Sequence, residues 1–217
     1  QGKMSRESIL TYIKKLRRPL FTTFELCSLS GKSSSVVTQS LNYLEKNGLV
    51  LKVYRGIWAE AGNVSLSPYA AIPYLFIRQR AYVSFLSALH LYGIIEQIPQ
   101  VIALASTVHT RTIHTKLGVF SVHRLSPKFF SGFGWYKGEG SFLIAQPEKA
   151  LIDSLYLSAC KKKQFGHFPE LHFPKTFSFK KAKDFARSIP NSNIRSYVLK
   201  KLKTLIPQIR NCPISQD

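Results

Sequence analysis

Acidic residues are scarce in this sequence. Its 217 residues include 31 Lys and Arg but only 11 Asp and Glu, so the formal charge at pH 7 is +20. This imbalance excludes the mixed-charge surface that is usual for a small domain, and a charge of this size attracts polyanions. Nucleic acid, an anionic membrane and an acidic protein are the candidate partners, and the organisation of the chain favours nucleic acid.

Cysteines and long apolar runs are also few. Cys27, Cys160 and Cys212 are far apart and lack CxxC spacing, so they predict reduced thiols in a cytoplasmic protein rather than a disulfide frame or a zinc site. No apolar run approaches the roughly 20 residues that span a bilayer, and no signal peptide opens the sequence. We therefore expect no membrane partner.

The first 60 residues begin with two predicted helices. Apolar residues recur at helical spacing within 5–16, which predicts the first helix. A second, shorter helix follows after a threonine that can cap it, and Gly31 is expected to end it. Phe24 and Leu29 are the side chains that we expect this second helix to turn inward.

A third helix and a hairpin follow. Val37, Leu41 and Leu44 repeat at helical spacing and define a buried face, and Gly48 ends the pattern. Two β-prone runs, LVLKVY and IWAE, then meet at an Arg-Gly pair, where glycine allows a tight turn. Three helices and a hairpin are typical of a winged helix-turn-helix domain, which we predict for residues 5–60.

The third helix leaves a polar face for a partner. Its small and amide side chains suit hydrogen bonds to base edges and phosphates, whereas a merely solvated helix more often alternates Glu and Lys. The alternative interpretation is the polar face of a small core helix. The DNA-binding residues that we predict on this helix are Ser33, Ser34, Ser35, Thr38, Gln39, Asn42 and Lys46.

Further basic residues are predicted to contact phosphates. Lys52, Tyr54 and Arg55 lie at the hairpin, where a wing meets the DNA backbone or the minor groove. The residues that we predict to hold flanking phosphates are Arg78, Arg80, Arg111, Lys116 and Arg124.

The rest of the chain mixes helices and strands, so the fold class is predicted as α+β. A turn-rich linker at 61–68 precedes a second domain predicted over 69–160. Residues 161–217 carry thirteen Lys and Arg against three acids and predict a basic helical C-terminal region. Within the second domain we predict helices over 68–79, 81–93 and from Pro147, and strands within 100–106, 117–125 and 141–145.

Several blocks in a fixed order carry a resemblance. VSFLSALHLYGIIEQIP, VIALAS, GVFSVHRL and AQPEKALIDSLY follow one another, and PEKALIDSLY is the most specific. Over residues 5–158 the chain resembles the AbiEi-type antitoxin and transcriptional regulator family. The resemblance implies a winged helix that represses its own operon at inverted repeats, and a second domain that counteracts a nucleotidyltransferase-like toxin. Neutralising such a toxin, with DNA binding secondary, is the alternative function.

The residues form no catalytic or metal-binding pattern. His109 and His114 lie in a Thr- and Arg-rich loop that either contacts phosphate or a partner or is a plain loop, and His167 and His172 lack a third ligand. We find no nucleophile with a base and no carboxylate pair for magnesium. The sequence predicts no enzyme, no metal and no cofactor; a nucleic-acid-processing enzyme is the third hypothesis, and it would need a metal-dependent activity.

Two other features are informative. The aromatic segment 128–136 is either a loop that covers the core or a surface for a partner. Glu148 and Lys149 follow Pro147, which predicts the start of a helix, with the acid at the positive end of the helix dipole and Lys149 free to pair nearby.

Overall fold

The computed structural model describes residues 7–62, 66–138, 141–160 and 169–209. Within these residues eight α-helices and two β-sheets form an α+β protein, as the sequence predicts. No helix in these ranges is both long enough and apolar enough to cross a membrane. Three features of the sequence lie outside the described residues: Cys212, His167 and the lysine run at 161–163.

The described residues form two compact units. Unit 1 holds the residues up to Ile77 together with His114–Gly118, and unit 2 holds Arg78–Ile113 and the residues from Val119 onward. The regular elements of unit 1 are α1 (Ile9–Leu16), β1 (Leu20–Thr22), α2 (Thr23–Ser30), α3 (Ser34–Lys46), β2 (Val50–Tyr54), β3 (Ile57–Glu60), a 3-10 turn (Pro68–Ala71) and α4 (Ile72–Leu75).

Local signals explain the helix boundaries of unit 1. Thr22 and Glu25 form a capping box at the start of α2, in which the side chain of each residue accepts a hydrogen bond from the backbone N–H of the other. Gly31 ends that helix with φ +66°, a conformation that glycine adopts without strain. The hairpin also forms where it was predicted, because Gly56 turns the chain with φ +70° between β2 and β3.

The core of unit 1 lies between its helices and a three-stranded antiparallel sheet. The strand order is β1-β3-β2, and the indole of Trp58 on the central strand is 1% exposed and donates its Nε1 hydrogen to Thr23 at 3.0 Å. The prediction that Phe24 and Leu29 point inward is wrong, since they are 79% and 51% exposed. Leu26 is the buried anchor of α2 instead.

Unit 2 is built on a mixed six-stranded sheet in the order β6-β7-β5-β4-β9-β8. Strand β4 pairs antiparallel with β5 and parallel with β9, and β5 pairs parallel with β7. The elements are β4 (Ala81–Val83), α5 (Phe85–Leu91), β5 (Ile102–Ser106), β6 (Arg111–His114), β7 (Val119–Arg124), a 3-10 turn (Pro127–Phe129), β8 (Phe133–Trp135), β9 (Leu143–Ala145), α6 (Pro147–Ala159), α7 (Phe179–Arg187) and α8 (Ser192–Ile209).

The predicted helix over 81–93 is half wrong. Its first three residues form β4, which is buried on both sides, and the helix begins only at Phe85. A fully buried strand has apolar residues on both faces, so its periodicity does not separate it from a buried helix. The predicted helix over 68–79 is also shorter than expected, because it ends at Leu75.

Helix α6 lies at the centre of the helical side of unit 2. It begins at Pro147, as predicted, and nine of its thirteen residues are buried. Both basic helices predicted near the C-terminus are present as α7 and α8, and each packs against α6 and against the other.

Candidate nucleic-acid interface

Helix α3 is held in place by its cap and its apolar face. Ser33 is the N-cap residue, and its hydroxyl accepts a hydrogen bond from the Val36 N–H at 3.4 Å. Val37 and Leu41 are fully buried, and Leu44 is 8% exposed, which confirms the predicted inner face. The opposite face of the helix is therefore fixed toward solvent.

The solvent face of α3 is polar and carries little charge. Ser35, Gln39, Asn42 and Lys46 are all exposed, and the period of 3.6 residues places them on one side of the helix. Among the other predicted residues, Ser33 and Ser34 are exposed and Thr38 is half-buried. This side therefore presents hydroxyl and amide groups with one cation.

The single acid of α3 does not occupy that face. The Glu45 carboxylate accepts the Lys52 backbone N–H at 3.0 Å, so it joins the end of α3 to strand β2. A carboxylate on the polar face would repel a phosphate backbone, whereas this hydrogen bond holds the Glu45 carboxylate beside β2. The potential over the exposed face is correspondingly less negative.

Two residues of this helix were missed by the sequence analysis. Val36 is 45% exposed and Tyr43 is 68% exposed. Both lie off the stripe defined by Val37, Leu41 and Leu44, on the Gln39 side of the helix. The helical period could have predicted their exposure, because it places both apolar residues away from the buried stripe.

The hairpin brings three predicted residues together. Lys52 is exposed, and its ammonium lies 5.5 Å from the centre of the Trp58 ring, a favourable cation–π arrangement. Arg55 is exposed at the turn, and Tyr54 is half-buried. Lys116 is also part of unit 1, where its N–H donates to the Val53 carbonyl at 3.1 Å and its side chain is exposed.

Four predicted arginines belong to unit 2, and all are exposed. Ala81 pairs with Ser106, which pairs in turn with Arg124, and the Ser106 hydroxyl donates to the Arg80 carbonyl at 2.8 Å. The Arg124 N–H donates to the Thr110 hydroxyl, next to Arg111. The backbone therefore brings three of these arginines to one end of the sheet; Arg78 precedes them by two residues.

The most unusual polar group lies inside unit 2 and was not predicted. Lys149 and Asp153 are fully buried on α6 and form an ion pair, so Lys149 pairs nearby as predicted, although the burial of both groups was not predicted. The Asp153 carboxylate also accepts from the Ser84 hydroxyl at 2.7 Å and the Tyr82 hydroxyl at 3.1 Å. The Lys149 ammonium lies 3.7 Å from the centre of the Phe129 ring.

Burial governs the ionisation of this group. It lowers the pKa of Lys149 and raises the pKa of Asp153, while the attraction between the two charges opposes both shifts. Burial and the Asp153 charge also raise the pKa of Tyr82 far above its usual value. Because all of these side chains are closed off from solvent, the group holds the core together and does not offer a surface to a ligand.

The remaining histidines and aromatics take mixed positions. His109 and His114 are exposed, whereas His123 is buried and its Nε2 lies 3.0 Å from the Ser121 hydroxyl. In the aromatic segment Phe129 is buried, but Trp135 on β8 is 67% exposed, so the segment both covers the core and reaches solvent. Across residues 7–62, 66–138, 141–160 and 169–209, no three His, Cys, Asp or Glu side chains are grouped to hold a metal ion.

No protein-family model matches the chain, and no curated protein gives a significant match.

Proposed function

We propose that this protein is a sequence-specific regulator of transcription that binds double-stranded DNA through unit 1. In this proposal unit 1 is a winged helix-turn-helix, α3 is the recognition helix and the β2–β3 hairpin is the wing. The observation that carries the proposal is the solvent face of α3, where Ser35, Gln39 and Asn42 are exposed while the only acid of the helix is bonded to the Lys52 N–H.

The chemistry of this face suits the major groove. A primary amide can donate a hydrogen bond to N7 of adenine and accept one from the adenine N6 amino group. We therefore assign base reading to Gln39 and Asn42. The serines at the start of α3 carry donors for phosphate oxygens, near the positive end of the helix dipole. Lys46 supplies a charge at the other end of the same face.

The wing and the three arginines at one end of the six-stranded sheet supply affinity rather than sequence preference. Arg55 at the hairpin turn contacts phosphate or enters the minor groove, and Lys116 adds a second cation in unit 1. Arg80, Arg111 and Arg124 at one end of the sheet contact further phosphates. If about six phosphates are neutralised, log K falls with log salt with a slope near −5.

The resemblance to AbiEi-type regulators suggests which DNA the protein would bind. The protein would repress its own operon at inverted repeats, and α3 from each bound copy would read one half-site. The test is fluorescence anisotropy with the full chain, using a labelled duplex from directly upstream of its gene and a scrambled duplex. A preference of about tenfold or more for the upstream duplex supports sequence reading, and equal affinity for both contradicts it.

A protein-binding role for unit 2 is a second proposal, favoured by a different observation. Trp135 is 67% exposed and lies on β8, which is an edge strand of the six-stranded sheet. Exposed tryptophans are common anchors of protein interfaces. The partner implied by the resemblance is a nucleotidyltransferase-like toxin encoded nearby. Co-purification with the neighbouring gene product should succeed with the natural chain and fail with Trp135→Ala; retention by both contradicts this anchor.

A further inference from the structure

Helices α7 and α8 present a solvent face with many lysines and almost no acids. The sequence from Phe185 to Ile209 contains no Asp or Glu. We call the exposed lysines of these two helices that have no acidic partner the lysine face; its members are Lys180 and Lys183 on α7 and Lys200, Lys201 and Lys203 on α8.

The acids that the structure describes do not neutralise the lysine face. None of its ammonium groups forms an ion pair within the described residues, whereas the neighbouring Lys181 lies 3.6 Å from Glu148 and Arg187 lies 3.2 Å from Asp184. Lys200 and Lys203 are one turn apart, and like charges at this spacing destabilise a helix. An uncompensated set of this kind is explained by a partner that supplies the negative charge.

An anionic membrane is a poor fit as this partner. A helix that lies in a membrane surface exposes an apolar face to the lipid, but the apolar faces of these helices are buried inside unit 2. Ala182 and Ala186 of α7 are fully buried, and Val198 and Leu202 of α8 are 0% and 2% exposed.

A protein interface and single-stranded nucleic acid fit poorly for a related reason. Both use exposed aromatic side chains, as anchors or as platforms for stacking bases. Tyr197 is the one exposed large apolar side chain in the described parts of α7 and α8, and it is engaged. Its hydroxyl is 3.2 Å from the Ser158 hydroxyl, and the Lys201 ammonium lies 5.9 Å from the centre of its ring.

We propose that the lysine face is a second DNA-binding surface, which holds the phosphate backbone of a duplex without reading its sequence. Helical spacing places Asn193 and Ser196 on the same side of α8 as Lys200 and Lys203, and all four are exposed. Amide and hydroxyl donors between cations suit a row of phosphates. This surface acts on any duplex, so it does not depend on base reading by α3.

The test compares two variants of the full chain that lose the same charge. Lys200→Ala/Lys201→Ala/Lys203→Ala removes the α8 part of the lysine face. Lys128→Ala/Lys137→Ala/Lys175→Ala removes three exposed lysines of unit 2 that lie outside α7 and α8. Thermal melts establish that both variants are folded, and anisotropy with a scrambled duplex across a range of salt concentrations gives the slope of log K against log salt.

We expect the slope of log K against log salt to be smaller in magnitude by about 2–3 for the α8 variant, because each lost phosphate contact removes roughly 0.9. The α8 variant should also bind the duplex on the order of tenfold more weakly at low salt. The control variant should change the slope by less than about 1. Equal slopes for the two variants overturn the proposal. So does loss of binding to phosphatidylserine vesicles by the α8 variant while its duplex binding is unchanged.

The outcome is distinct from that of the proposed function. The α8 variant should keep the natural chain's ratio of affinities for upstream and scrambled DNA, because this ratio is set by α3. A natural chain without any preference for upstream DNA contradicts sequence reading but leaves the slope comparison on the scrambled duplex fully informative.

Discussion

Lys149 donates a hydrogen bond to the carboxylate of Asp153, one turn further along α6, and neither side chain is exposed to solvent. Tyr82 and Ser84, at strand β4, donate to the same carboxylate. This ion pair therefore fastens the central helix of unit 2 to its central sheet. Burial of two charges is costly, and hydrogen bonds to both partners offset that cost.

Breaking this ion pair from one side should destabilise the protein strongly. Asp153→Asn or Lys149→Met leaves one buried charge without its partner, so we expect the free energy of unfolding to fall by about 3–5 kcal/mol. The double variant Lys149→Met/Asp153→Asn should lose less than the sum of these two single variants, because it leaves no uncompensated charge. Urea unfolding followed by circular dichroism measures these values; additive losses contradict the coupling.

Gly132 should be intolerant of a methyl group. Its φ is +75°, and a Cβ there would lie 2.7 Å from the Phe185 ring and 3.1 Å from the Lys149 side chain. We expect Gly132→Ala to lower the free energy of unfolding by about 1–3 kcal/mol. Gly134→Ala is the matched control, since a Cβ at Gly134 meets no atom within 4 Å. Equal melting temperatures for the two variants contradict this packing.

Glu25 should make the stability of unit 1 depend on acid pH. Partial burial raises the pKa of this carboxyl, but hydrogen bonds from the Thr22 N–H, Arg18 and the Thr22 hydroxyl outweigh it, so the folded-state pKa lies below the unfolded value. A lowered pKa contributes stability that is present above the unfolded pKa and is lost as pH falls through the folded pKa.

Removing this carboxyl tests that dependence. Glu25→Ala should cost about 0.5–2 kcal/mol near pH 7, the usual range for a lost helix cap. The difference from the natural chain should shrink as pH falls below about 4. Glu96→Ala, at an exposed position, is the control. A constant difference across this pH range contradicts the role of the ionised carboxylate.

The two sets of residues that we propose to contact DNA should respond differently to truncation to alanine. Arg55→Ala should weaken binding to all duplexes alike and reduce the magnitude of the salt slope by about 1, since a phosphate contact carries no sequence information. Gln39→Ala and Asn42→Ala should each cost roughly 1–3 kcal/mol on upstream DNA and relax its preference over scrambled DNA. Equal losses on both duplexes contradict base reading by the two amides.

Local patterns were sufficient to predict most of unit 1. The buried face of α3, its serine cap and the glycine turn of the hairpin are signals between near neighbours, and the structure contains all three. The error at Phe24 and Leu29 arose in α2, where apolar residues do not follow a clear helical stripe. The bond from the Lys52 N–H to Glu45 needs the hairpin closed onto α3, which local patterns do not contain.

Unit 2 depends on contacts between distant residues, and the sequence predicted less of it. The meeting of Arg80, Arg111 and Arg124 at one end of the sheet follows from strand order, which no short segment encodes. Strand β4 was missed because both of its faces are buried. The burial of Lys149 likewise depends on Phe129 and on β4, both far away in the chain.

A DNA analogue tests the central claim, that the solvent face of α3 reads base edges, most directly. Purines of the upstream duplex are replaced one at a time by their 7-deaza forms, which lack the N7 acceptor of the major groove. We predict at least one position where the replacement costs the natural chain about 1–3 kcal/mol and costs Gln39→Ala/Asn42→Ala almost nothing. Equal costs for both proteins at every position would contradict recognition of DNA by this face.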